Sequence, residues 1–212
     1  MKRPGAVALI GSFAFLSPSA GVAQQRATTT PAPSACQQRL TPDIASIHSL
    51  ASISGPGSCG AEDVVGLDAV LLKDGERIAL APAATLRCPM AEAVARWIRQ
   101  EVAPAAVATL GSPLRAIVTG TSYECRGRDR DPNAKVSEHG HANALDLSGF
   151  KLANGTTVQL TDKTASKEFR EIIRQSACAN FTTVLGPGSD SYHENHVHLD
   201  LLDRPSGYRV CE

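Results

Sequence analysis

Apolar residues along the chain fall into short runs of two different periods, separated by turn-forming residues. Val64 to Leu72 (VVGLDAVLL) is a nearly unbroken apolar run, as a buried strand requires. Asp74-Gly75 then offers a turn, with Arg77 to Leu80 as the returning strand. Pro89 suits the first position of a helix. Ala91, Val94, Ala95, Ile98 and Val102 recur at helical spacing beside Trp97, predicting a helix that ends before Pro104. Ala105 to Leu110 reads as a second short helix stopped by Gly111, and Pro113 to Tyr123 as a strand. Ala142 to Phe150 and Thr157 to Leu160 read as two strands joined through Ala153-Asn154-Gly155, a hairpin signal. Ser166 to Ala177 places Phe169, Ile172 and Ile173 on one helical face. A strand over Phe181 to Leu185, a loop over Gly186 to Ser191 and a last strand over His196 to Leu201 complete the pattern. Strands and helices mix without regular alternation. The expected class is α+β, with a largely antiparallel central sheet flanked by helices.

The first residues follow a different logic. Lys2 and Arg3 precede an apolar stretch, Ala6 to Leu16, and a small-residue exit, Ser17 to Ala23. Residues 1–23 therefore read as a secretory signal peptide, too short in its apolar part for the ~20 residues that span a bilayer. Residues 24–35, rich in Thr, Pro and Ala, read as a linker. Residues 36–212 form the expected single domain. No second long apolar run follows, so no membrane span is expected after signal cleavage, and the expected location is periplasmic or secreted.

Composition narrows the function classes. The 212 residues balance 21 Lys and Arg against 21 Asp and Glu, which gives no argument for a nucleic-acid partner. Aromatic residues are only 4% of the chain, too few for a base-stacking platform. The six cysteines, Cys36, Cys59, Cys88, Cys125, Cys178 and Cys211, include no C-x-x-C pair. In an exported chain they suggest three disulfides, with the connectivity open.

The histidines change the picture most. Of six, only His48 stands alone; His139 and His141 form one cluster, and His193, His196 and His198 another. Side chains alternate faces along a strand, so His196, His198 and Asp200 share one face of the last strand, opposite Val197, Leu199 and Leu201. Ala144, Asp146 and Ser148 likewise share a face opposite Leu145 and Leu147. If the two strands are neighbours, Asp146 meets His198, and the preceding loop delivers His139 to the same place. Two imidazoles and one carboxylate with a fourth position open to water is the pattern of a catalytic zinc site. Glu138 and Glu194 are possible bases, His193 is placed to orient a ligand, and His141 reads as a loop residue near the site.

At these residues the chain resembles a known superfamily. Ser137 to Asp146 (SEHGHANALD) is similar to the S-x-H-x-x-G-x-A-x-D signature of D-Ala-D-Ala metallopeptidases, a group with lysostaphin-type enzymes and murein endopeptidases. His196-Val197-His198 resembles their H-x-H motif, and His193 matches a further histidine of the murein endopeptidases. The resemblance implies zinc held by His139, Asp146 and His198, with His196 acting on the water or the transition state. Two departures stand out. Ala142 occupies the signature's glycine position, which asks that the backbone there avoid a positive φ. Asn195 occupies the position of a glutamate in the dipeptidase branch, so the base role passes to His196, with Glu194 in reserve. From Cys36 to Cys211 the chain resembles the bacterial extensin-like C-terminal family, through Thr85 to Ala91 (TLRCPMA), Tyr123 to Arg126 (YECR), the SEHGHANALD stretch and Phe181 to Gly188 (FTTVLGPG).

The resulting expectation is a zinc-dependent peptidase or amidase acting on peptidoglycan stem peptides or their cross-links, with Arg126 able to bind a substrate carboxylate. The alternative is a non-catalytic, metal-containing wall-binding module. A non-haem iron oxygenase, which also uses two His and one carboxylate, lacks its His-x-Asp/Glu spacing here. Neither the bond cleaved nor the oligomeric state follows from the sequence.

Overall fold

A computed structural model describes residues 32–161 and 166–212, together with Met1. The segments read as a signal peptide and as most of the linker lie outside the described residues. Their boundary with the domain moves slightly. Ser34 caps the first helix α1 (Ala35–Arg39), its hydroxyl accepting from the Gln37 N–H and donating to Asp63 at 2.8 Å. Ser34 and Ala35 thus belong to the domain and not to a linker. Ser34→Ala should lower stability by about 1 kcal/mol, the usual cost of a lost N-cap. A chemical denaturation curve superimposing on the wild type would contradict this.

The fold is α+β. Among the described residues, nine strands form one sheet: β1 (Ala45–Ser49), β4 (Val64–Leu71), β5 (Arg77–Arg87), β6 (Leu114–Thr119), β7 (Ala144–Leu152), β8 (Thr157–Gln159), β9 (Thr183–Leu185), β10 (Val197–Asp200) and β11 (Val210–Cys211). Two short strands, β2 (Ile53–Ser54) and β3 (Gly60–Ala61), pair separately. The sheet order is β1-β4-β5-β6-β7-β10-β9-β11, with β8 beside β7. Most junctions are antiparallel; β5–β6 and β11–β9 are parallel. The sheet is therefore mixed, and β11 follows the strand expected to be last.

Helix α2 (Cys88–Trp97) begins with Pro89 in its first turn, where the missing N–H costs nothing. It does not stop before Pro104. It runs through a wide π turn, Ile98–Val102, into α3 (Ala103–Leu110). The Ala103 N–H reaches back to the Ile98 carbonyl, and this looser turn accommodates a proline that would otherwise break the hydrogen-bond ladder. Gly111, at φ 66°, ends α3 as expected.

Helix α4 (Lys167–Asn180) is capped by Ser166 and buries Phe169 and Ile173. Trp97 meets Phe181 edge-on at 5.6 Å, and Phe150 meets Phe169 at 5.2 Å. These rings join Leu145, Leu147 and Leu199 from the inward face of the sheet in one core.

Disulfides join Cys36 to Cys88, Cys59 to Cys125 and Cys178 to Cys211. Each ties segments distant in sequence, and the set is compatible with folding in an oxidising compartment. Among the described residues, no helix is long and apolar enough to cross a membrane.

Candidate metal centre

β10 lies beside β7, and their register sets His198 directly opposite Asp146. Since Leu145, Leu147 and Leu199 enter the core, Asp146 and His198 project from the other face of the sheet. His139 arrives from a single turn, Glu138–His141, whose N-cap Ser137 accepts from the His139 N–H. All three are buried, with His139 1%, Asp146 6% and His198 7% exposed.

The turn hands over to β7 through Ala142, at φ 48° and ψ 30°. The expectation that this position avoids a positive φ is overturned. The Ala142 N–H donates to the His139 carbonyl at 3.1 Å, and the left-handed conformation of Ala142 then turns the Asn143 N–H back to the Glu138 carbonyl at 2.9 Å. A residue with a Cβ costs about 1–2 kcal/mol in that conformation. Complete burial of the Ala142 methyl offsets part of it.

Three atoms converge. His139 Nε2 lies 3.2 Å from Asp146 Oδ1 and 3.1 Å from His198 Nδ1, and His198 Nδ1 lies 3.2 Å from Asp146 Oδ1. Tetrahedral zinc with bonds of ~2.0–2.2 Å sets neighbouring donor atoms ~3.3 Å apart. The triangle therefore has the dimensions of three zinc ligands.

Outer partners orient the same atoms. His139 Nδ1 faces the Ser122 carbonyl at 3.2 Å. A carbonyl only accepts, so Nδ1 carries the proton and Nε2 presents its lone pair to the centre. His198 Nε2 donates to Asp200 Oδ2 at 3.1 Å, which leaves Nδ1 facing the centre. Such outer hydrogen bonds are the usual support of metal-binding histidines. Two imidazole lone pairs and a carboxylate oxygen then point at one buried spot, an arrangement that repels itself until a cation occupies it. Without a metal, that cation is a proton. Burial opposes a charge on His198, but hydrogen bonds to Asp146 and Asp200 outweigh it and raise its pKa to about 9. Burial likewise works against ionised Asp146, yet the His139 and His198 imidazoles packed against it hold its carboxyl well below the usual carboxylate range.

A polar cleft of about 290 Å³ opens over Asp146, and its lining includes Thr121, Arg126, Arg130, Tyr192, His193 and His196. His196 stands just before β10, with Nε2 3.6 Å from Asp146 Oδ1. Its Nδ1 donates to Asn195 Oδ1 at 2.8 Å, so Nε2 presents a lone pair on the cleft side. Burial holds the His196 pKa below its ordinary value; Asp146 opposes this and the neighbouring histidines reinforce it. His193 donates from Nδ1 to Asp190 at 2.7 Å and packs its ring against those of His196 and His198. Arg126 is anchored by Glu124 at 2.7 Å, which also holds Arg130 at 3.0 Å.

Three of the other candidates lie elsewhere. Glu138 accepts from the Asn143 side chain at 2.6 Å, Glu194 is exposed, and His141 lines a separate cavity with Arg87 and Pro89. Nothing in the sequence signals the roles of Ser122, Glu124 and Asp190, because short polar residues in irregular segments carry no periodicity; Asn195 stands out there only as a departure from a glutamate, without its hydrogen bond to His196. Asp200 was legible as sharing the His198 face, though its hydrogen bond to that ring was not.

Two other features carry less chemistry. Cys36, Asp63 and Cys88 also lie close together, but both sulfurs are consumed in a disulfide. A larger groove, about 830 Å³, borders α1 and α2 and contains no histidine; its Glu92 is already paired with Arg39 and Arg96.

A family model described as the extensin-like protein C-terminus matches residues 34–212, a span that includes all six cysteines and the whole histidine cluster. No curated protein and no solved structure matches the chain.

Proposed function

We propose that this chain, which belongs to the extensin-like C-terminal family, is an exported zinc-dependent peptidase or amidase that cleaves peptidoglycan stem peptides or their cross-links. The proposal places it with the D-Ala-D-Ala metallopeptidases. One observation carries it: three lone-pair atoms, the two imidazole nitrogens among them oriented by outer hydrogen bonds, converge at 3.1–3.2 Å beneath an open polar cleft. A purely structural zinc site is normally closed by four protein ligands, whereas a catalytic one keeps a position free.

His139, Asp146 and His198 would hold the ion, which when bound polarises a carbonyl and lowers the pKa of a water toward ~7. The remaining roles belong to the chain's own side chains. His196 is kept neutral by burial and is turned by Asn195 so that Nε2 accepts a proton at the cleft. Arg126, held in place by Glu124, offers the rest of its guanidinium to a substrate carboxylate. Asp190 fixes His193 as a wall beside His196.

The test is metal analysis of the purified protein joined to mass spectrometry of peptidoglycan digested by it. The expected result is about one zinc per chain and newly released peptide fragments, both lost in His139→Ala. Zinc uptake with intact peptidoglycan after prolonged incubation would overturn the hydrolase reading and leave a metal-containing wall-binding module.

A further inference from the structure

We infer that the Cys59–Cys125 disulfide is a positioning clamp for the metal ligand His139, so that metal affinity depends on this one cystine and not on the other two; the inference rests on the metal centre proposed above. His139 is held twice by a single neighbouring segment. The Ser122 carbonyl receives its ring N–H at 3.2 Å, and the Glu124 N–H donates to its backbone carbonyl at 3.3 Å. Residues 120–126 belong to no helix or strand, so the sheet does not fix their position as it fixes Asp146 and His198. What ties them down is sparse. Thr121 accepts from the Asp146 N–H, Gly120 donates to the Asp146 carbonyl, and the Arg126 carbonyl accepts from the Ser137 N–H at 3.0 Å. Ser122 Oγ accepts from the Thr85 N–H, and Cys125 is bonded to Cys59.

The same disulfide meets the histidine turn from below. A Cβ on Gly140, the residue after His139, would lie 3.1 Å from Cys59 Sγ and 2.5 Å from Val136 Cγ1. A side chain at Gly140 is thus excluded first by Val136 and then by the cystine, so the turn rests against both. Cys59 is 7% exposed and sits in the buried layer beneath the turn. The 55–59 loop also packs on this segment, since a Cβ on Gly55 would stand 3.2 Å from the Tyr123 hydroxyl. The cystine thus fixes both walls around His139: the segment that hydrogen-bonds it and the floor under its turn. Cys36–Cys88 joins α1 to the start of α2, and Cys178–Cys211 joins α4 to β11. Neither includes a residue of the segments that hold His139.

The experiment compares zinc affinity, by competition with a chromophoric chelator, in the full-length chain expressed in an oxidising compartment. Cys59→Ser/Cys125→Ser should weaken zinc binding by ~10–100-fold, the range for disturbing outer support of a metal ligand. Cys178→Ser/Cys211→Ser, which lowers stability at α4 and β11, should stay within about threefold of the wild type. Equal weakening in both would mean that disulfides act only through global stability and would overturn the clamp, as would unchanged affinity in the first. Gly140→Ala keeps every disulfide and remains usable if the cysteine variants fail to fold. It should weaken zinc binding as well, and wild-type affinity there would count against the clamp. A wild-type chain that takes up no zinc would instead overturn the metal centre itself, and the clamp role with it.

Discussion

Replacing His198 with alanine should abolish zinc uptake, whereas replacing His196 should leave about one zinc per chain and slow turnover by ~10²–10⁴-fold, the range for losing a general acid–base group. The two side chains stand two residues apart, His198 within β10 and His196 just before it, and their surroundings separate them. His198 is buried, points Nδ1 into the three-atom cluster and is locked from behind by Asp200. His196 stands at the cleft, its Nε2 3.6 Å from Asp146 Oδ1. Metal content and peptide release measured on the same preparations would check the division. If His196→Ala lost the metal and His198→Ala kept it, the roles would be reversed. If both variants and His139→Ala all kept zinc, the centre would lie elsewhere.

The second large effect is a widening gap between metal-free and zinc-loaded stability as pH rises. Without metal, His198 has a pKa of about 9, above the ~6.5 of an unfolded histidine. A raised histidine contributes stability that is fully present below the unfolded value and lost as pH climbs through the folded one. The metal-free domain should therefore lose melting temperature between about pH 6.5 and 9. Zinc binding must expel the same proton, so affinity should rise about tenfold per pH unit across that window. At free zinc ~1,000 times the dissociation constant, the ion adds about 4 kcal/mol, or several degrees for a domain of this size. Melting curves with zinc and with chelator should diverge as pH rises. Parallel curves would mean that no histidine proton is exchanged for the metal.

How much of this was legible in the sequence depended on whether a residue sat in a regular element. Alternation along two strands was enough to put Asp146 and His198 on one face, and the register then placed them directly opposite each other. The long apolar runs at Val64 and the helical period around Phe169 became β4 and α4 for the same reason. Pro104 misled because a proline ends a regular helix but can follow a π turn. Ala142 misled because its conformation is imposed by two hydrogen bonds that close the turn, against its own preference. Disulfide pairing and the partner Ser122 depend on tertiary placement, while Asn195 and Asp190 are local partners in an irregular loop that offers no period to read.

The interior position of β10 has a consequence for the order in which the centre assembles. His139 and Asp146 are seven residues apart and share one local turn-to-strand unit. His198 lies 52 residues beyond Asp146 and joins only when β10 enters the gap between β7 and β9. Contacts that close long stretches of chain form late, because the entropy of closure must be met before they contribute. Before β10 docks, the chain would present only two of the three candidate ligands and would grip an ion loosely. Full-strength retention is expected only once the sheet is complete, which would make metal capture a late step and not the nucleus of folding.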